Sequence, residues 1–139
     1  LAGIRLGICY ASVEIIQILN KIKPPYNVNE LTQQRAMERL EQPKVVQEEI
    51  EKILEQRKYL ETELSKMAFL KEIFPSEANF LLAKVDNASR RYEQLLREGI
   101  VVRNRTNQVL CENTIRFTVG TQEENRELLE ALKRIENQK

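Results

Sequence analysis

Pro43 opens the stretch that most constrains the fold. From it onward Val46, Ile50, Ile53, Arg57, Leu60, Leu64 and Met67 recur at alternating spacings of four and three residues. That spacing traces one face of a helix, and Val45 and Leu54 widen the stripe. Proline is tolerated at the first helical position, because its missing N–H would have no partner there. A coiled coil is the competing reading, but the pattern lasts only about three heptads. A single long amphipathic helix laid against a sheet is the expectation.

Downstream the period changes. Residues 69–74 and 79–85 read as strands separated by Pro75-Ser76. Asp86 or Asn87 caps a helix with Tyr92, Leu95 and Leu96 on its buried face, and Gly99 supplies a left-handed stop. Residues 100–103 form a further strand, followed by a polar loop over 104–113. In the strand over 114–119, Ile115, Phe117 and Val119 face one way, Arg116 and Thr118 the other. Thr121 and Glu124 form a capping box for a last helix with Leu128, Leu129, Leu132 and Ile135 inward. From Pro43 on, the order is helix, strand, strand, helix, strand, strand, helix. The fold class is α+β: a small, largely antiparallel sheet covered by helices.

Residues 1–42 do not belong to that layer by pattern, so the expected division is 1–42 and 43–139. Residues 4–10 read as a short buried strand, since their apolar residues hardly alternate. Ser12 caps a helix carrying Ile15, Ile16, Ile18, Leu19 and Ile22, apolar on more than one side and hence expected to be buried on more than one side. Pro24-Pro25 ends it. Asn29 caps a second helix through Leu31, Ala36, Met37 and Leu40. Two of the four glycines lie in the first seven residues, and this opening reads as an internal stretch of a longer fold.

Charge narrows the function. Lys and Arg number 22 against 21 Asp and Glu, which removes the electrostatic case for a nucleic-acid or membrane-surface binder. There is no histidine, so no histidine base, triad or metal ligand can come from this chain. Cys9 and Cys111 are far apart and form no CxxC pair, as expected of free thiols. No metal site is expected. Most carboxylates lie in mixed-charge helical runs and read as solvated faces. The residues left to carry chemistry are arginines. Arg116 lies mid-strand, opposite the core residues, where a guanidinium can hold a carboxylate through two parallel hydrogen bonds or simply lie exposed. Arg103 and Arg105 flank Asn104 and could receive a phosphate or form a solvated loop. Arg5, between apolar residues, meets an anion or faces solvent.

Several segments together resemble one family. Leu1-Ala2-Gly3-Ile4-Arg5-Leu6-Gly7 is similar to the stretch that follows the cofactor lysine in class I/II pyridoxal-phosphate aminotransferases. The similarity continues in order through residues 25–29, 76–81, 99–103 and 115–121 and covers essentially the whole chain. Within the family, the chain resembles the branch exchanging an amino group between histidinol phosphate and 2-oxoglutarate in histidine biosynthesis, with imidazole-acetol phosphate and glutamate as products. The resemblance implies roles: Arg5 on the phosphate of pyridoxal phosphate, Arg116 on a substrate α-carboxylate, Arg103 on a substrate phosphate. It also implies a cytoplasmic homodimer, with no nucleic-acid or membrane partner. The family's Schiff-base lysine would lie just before Leu1. The chain is therefore expected to be the C-terminal part of such an enzyme, with 1–42 a remnant of the large cofactor domain and 43–139 the small domain. Alone it is expected to be inactive and without bound cofactor. Part of another class I/II aminotransferase or of a phospho-amino-acid decarboxylase, and a non-enzymatic interaction module built on the long helix, are the alternatives.

Overall fold

The computed structural model describes residues 2–137. The chain divides into two compact units, Leu1–Glu48 and Glu49–Lys139.

The first unit holds a short 3-10 turn, Ala2–Ile4, then helices α1 (Val13–Ile22) and α2 (Glu30–Leu40). The strand expected over 4–10 does not form. Arg5 takes a left-handed backbone angle, φ 61°, which breaks an extended run, and among the described residues of this unit there is no strand to pair with it. Nor is α1 buried on any side here. It has no buried residue, and Ile15, Ile18 and Ile22 are exposed. Asn29 caps α2 as expected, its side chain accepting from the Thr32 N–H at 2.8 Å.

Helix α3 (Pro43–Leu64) begins in the first unit and is completed in the second. It starts at Pro43, and its stripe is buried at Leu60 and Leu64, while Val45, Ile50, Ile53 and Leu54 stay exposed. Arg57, inside the stripe, turns its Nη1 to the Ala78 carbonyl at 2.9 Å. That bond ties the helix to the turn before the second strand.

The second unit continues β1 (Leu70–Ile73), β2 (Phe80–Val85), α4 (Ala88–Arg97), β3 (Arg103–Asn104), β4 (Thr114–Thr118) and α5 (Gln122–Asn137). The four strands form one antiparallel sheet in the order β1-β2-β4-β3. β1 pairs with β2 through an irregularity between Leu70 and Glu72. The α+β class expected from the order of elements is the observed one.

The core lies on one sheet face. Leu81, Ala83 and Val85 of β2 and Ile115 and Phe117 of β4 meet Leu95 of α4 and Leu128, Leu129, Leu132 and Ile135 of α5. At about 25 cal/mol per Å² of apolar surface removed from water, these side chains supply the main favourable term for this unit. The last helix opens with the expected reciprocal cap: the Thr121 N–H donates to Glu124 Oε2 at 2.7 Å, and the Glu124 N–H to Thr121 Oγ1 at 3.3 Å. One turn on, buried Asn125 accepts from the Gly120 N–H and donates to the Gly120 carbonyl and to Gln56 of α3. A polar group so deep is tolerated because its hydrogen bonds are made.

Two expectations need correcting. The strand over 100–103 shrinks to Arg103–Asn104: the Ile100 N–H is spent on the Leu95 carbonyl at the end of α4, at 2.9 Å, while Ile100 and Val102 pack on the core. In α4, capped by Asn87, Leu96 is 49% exposed and Arg91 takes an inward position at 8%. Arg91 survives there because it is fully paired. Its Nε donates to Asp86 Oδ1 at 2.9 Å and its Nη2 to Oδ2 at 2.6 Å, while its guanidinium carbon lies 4.4 Å from the Phe69 ring centroid.

The Arg91 hydrogen bonds hold the Asp86 carboxyl below the usual carboxylate range. A carboxylate with a lowered folded-state pKa stabilises the fold above its ordinary value near 3.8 and loses that contribution as the pH falls through the folded value. Asp86→Asn, which leaves Arg91 without a counter-charge, is expected to cost about 1.5–3 kcal/mol at neutral pH. Denaturant unfolding of both proteins across the acid range checks this: the difference should narrow below pH 3.8.

Candidate functional site

β4 carries the site because strand alternation gives it two chemically opposed faces. Ile115 and Phe117 are sealed in the core, so Arg116 must point to the other side. There it is half-buried. Its neighbours by register are Leu82 of β2 and Arg103 of β3, each a direct cross-strand partner. Phe80, two residues before Leu82 on the same face, lies under it, with the Arg116 guanidinium carbon 5.1 Å from the ring centroid.

The electrostatics of this face are unbalanced. Arg103 and Arg116 stand directly opposite each other, a like-charge pair that costs stability unless an anion bridges it. Among the described residues, neither guanidinium meets a carboxylate. The Arg116 Nε is fully shielded from solvent and has no hydrogen-bond partner. A buried donor left without an acceptor is costly, and a bound carboxylate or phosphate would satisfy it. The ring of Phe80 lies against one side of the guanidinium, so an oxyanion would have to meet it along its N–H edge.

Sequence reasoning singled out Arg103 and Arg116 separately, and the β3–β4 register brings them together. It missed Phe80 as the platform. An aromatic residue at an alternating strand position marks a face, but only the register shows which strand partner it meets.

Arg5 belongs to the first unit. Its exposed side chain lines a groove of about 390 Å³ together with Gly3, Ile4, Asn27, Asn29, Leu31 and Thr32. The lining holds no carboxylate, and Arg5 has no ion-pair partner among the described residues. Such a donor set fits a phosphate group and offers nothing aromatic to cover a ring. Both Arg5 and the exposed Tyr26 have left-handed backbone angles, φ 61° and 56°. Residues held in that region often lie at binding sites.

The sequence matches the family "Aminotransferase class I and II" over residues 1–132, and the chain belongs to that family. It is 60% identical over 133 residues to a histidinol-phosphate aminotransferase of Flavobacterium johnsoniae, a match that covers 96% of this chain and 38% of that protein. The chain thus spans about two fifths of the length of the curated relatives it matches. The crystal structure of the histidinol-phosphate aminotransferase from Clostridium acetobutylicum superposes with a TM-score of 0.80 at 31% identity, over 89% of this chain and 38% of that one. A decarboxylase from Sulfurospirillum multivorans gives 0.73 at 26% identity, over 88% and 36%.

The facing arginines, without an ion-pair partner among the described residues, can be probed directly with an anion. Titration with sodium sulfate, followed through the arginine Nε–H resonances, should move the Arg116 and Arg103 signals together and to saturation. Those of Arg35 and Arg126, already ion-paired at the surface to Glu38 and Glu123, should stay in place.

Proposed function

We propose that this chain supplies the substrate-holding arginines of a pyridoxal-phosphate-dependent transaminase that exchanges an amino group between histidinol phosphate and 2-oxoglutarate. The observation that carries the reading is the shielded, unpartnered Nε of Arg116 directly across the strand from Arg103. In this reading residues 1–42 are part of the large cofactor-binding domain and 43–139 form the small domain of a cytoplasmic homodimer. The similarity to named histidinol-phosphate aminotransferases supports the choice of substrate.

The residues divide the labour. Arg116, oriented by the Phe80 ring, holds the acidic group of either substrate through parallel hydrogen bonds: a carboxylate of glutamate, or the phosphate of histidinol phosphate, which bears no carboxylate. Arg103 adds the second positive charge, which a phosphate ester needs more than a carboxylate does. Arg5 holds the cofactor's phosphate from the first unit, and its groove lacks any carboxylate that would compete. When bound, pyridoxal phosphate supplies the electron sink for amino-group exchange. What this chain contributes is binding and orientation, which converts an encounter of two solutes into a positioned reaction.

The test is steady-state kinetics of the full-length holoenzyme with histidinol phosphate and with glutamate. Arg116→Ala should lower kcat/KM by the equivalent of roughly 2–4 kcal/mol for both substrates. Arg103→Ala should penalise histidinol phosphate well beyond glutamate. Equal losses on both would overturn the phosphate assignment of Arg103. A decarboxylase acting on a phosphorylated amino acid is the second reading, favoured by the likeness to the Sulfurospirillum enzyme. It requires release of carbon dioxide from such a substrate without consumption of 2-oxoglutarate.

A further inference from the structure

The cationic face does not end at Arg103. Beyond the two-residue strand β3 the Arg105 N–H still donates to the Thr114 carbonyl at 2.9 Å, which continues the ladder by one more pair. The register runs Arg103 to Arg116 and Asn104 to Ile115, so Arg105 stands opposite Thr114. Strand alternation then fixes the sides. Asn104 turns to the helices, where its Nδ2 meets Ser89 Oγ of α4 at 3.3 Å, and Arg103 and Arg105 project from the opposite face. That is the face of Arg116.

The backbone at Arg105 is held firmly. Its carbonyl accepts from the Gln108 N–H at 2.8 Å, and the Thr106 N–H is taken by Asn104 Oδ1 at 3.0 Å. The side chain is half-buried, and it has no carboxylate partner among the described residues. Three guanidiniums therefore share one face, none of them ion-paired among the described residues; the carboxylate of that face on β1, Glu72, stands opposite Lys84 at the far side of the sheet. Their α-carbons make a bent row: one step of about 5.5 Å across the ladder and one of about 6.8 Å along β3. A carboxylate, with two oxygens and one charge, engages one such fork. A phosphate monoester has three free oxygens and close to two charges, and it can use donors from more than one side.

We propose that Arg105 is a specificity-determining residue: it extends the Arg103–Arg116 receptor into a subsite for dianionic phosphate esters and so separates phosphorylated from unphosphorylated substrates. This rests on the reading of Arg103 given above, and the two can fail separately.

The experiment measures equilibrium binding of histidinol phosphate, histidinol and glutamate to full-length holoenzyme carrying Arg105→Gln, Arg105→Lys or Arg103→Ala. Arg105→Gln should weaken histidinol phosphate about three- to tenfold and leave histidinol and glutamate within about twofold. Arg105→Lys should recover part of the loss, and the loss should shrink at high salt. If Arg103→Ala weakens histidinol phosphate and Arg105→Gln does not, the Arg105 proposal is overturned while the Arg103 assignment stands. If neither variant changes phosphate binding, both fall. If Arg105→Gln weakens all three ligands alike, Arg105 is structural and the specificity role is wrong. A readout free of any variant is the Arg105 Nε–H resonance of this chain titrated with inorganic phosphate. It should shift in step with those of Arg103 and Arg116, and a stationary signal overturns the proposal.

Discussion

The second unit depends on the burial of Ile115 and Phe117 in a strand that pairs on both sides. β4 lies between β2 and β3, so its backbone polar groups are consumed by two ladders and its position is over-determined. Because successive side chains of a strand point to opposite faces, fixing those two residues in the core also fixes Arg116 on the far face. A slip of one residue would bury a guanidinium and expose a phenylalanine. The hydrophobic effect thus holds the arginine in place without touching it. The Phe80 ring and the opposed Arg103 surround it in a geometry inherited from packing.

The elements with local chemical signals were legible in the sequence. Pro43 marks the first residue of α3, Asn29 and Asn87 cap as their residue type prescribes, Thr121 and Glu124 form a reciprocal cap, and Gly99 adopts φ 79°. The alternation of residues 115–119 gave both the strand and its two faces. What escaped was set by partners distant in sequence. Residues 4–10 have the composition of a buried strand, but among the described residues of their unit there is no strand to pair with. Leu96 and Arg91 exchange expected positions because Asp86 and Phe69 supply what a buried guanidinium needs, and neither is on α4. The site shows the same limit. Each arginine could be named from sequence, but their pairing is a matter of register, which only the folded sheet specifies.

The two units express different relations between sequence and surroundings. In the second, the apolar stripes of α4 and α5 find their complements on the sheet. In the first, the isoleucines of α1 face outward although the helix is well formed. The upper half of the α3 stripe behaves likewise. These surfaces carry the composition of an interior without being one, which agrees with a chain that spans about two fifths of the length of its curated relatives.

The margins of the sheet bear on a separate property. One edge is β3, two residues long and bearing Arg103; the other is β1, four residues long, irregular between Leu70 and Glu72 and bearing Lys71 and Glu72. Short, charged and irregular borders offer a foreign strand few consecutive hydrogen bonds and repay it poorly for the charge it must desolvate. A polypeptide with so many outward-facing isoleucines would be prone to clump if its sheet also ended in long, flat, apolar strands. Here the borders deny incoming chains a template, which leaves the exposed apolar side chains of the helices and loops as the surfaces most open to association.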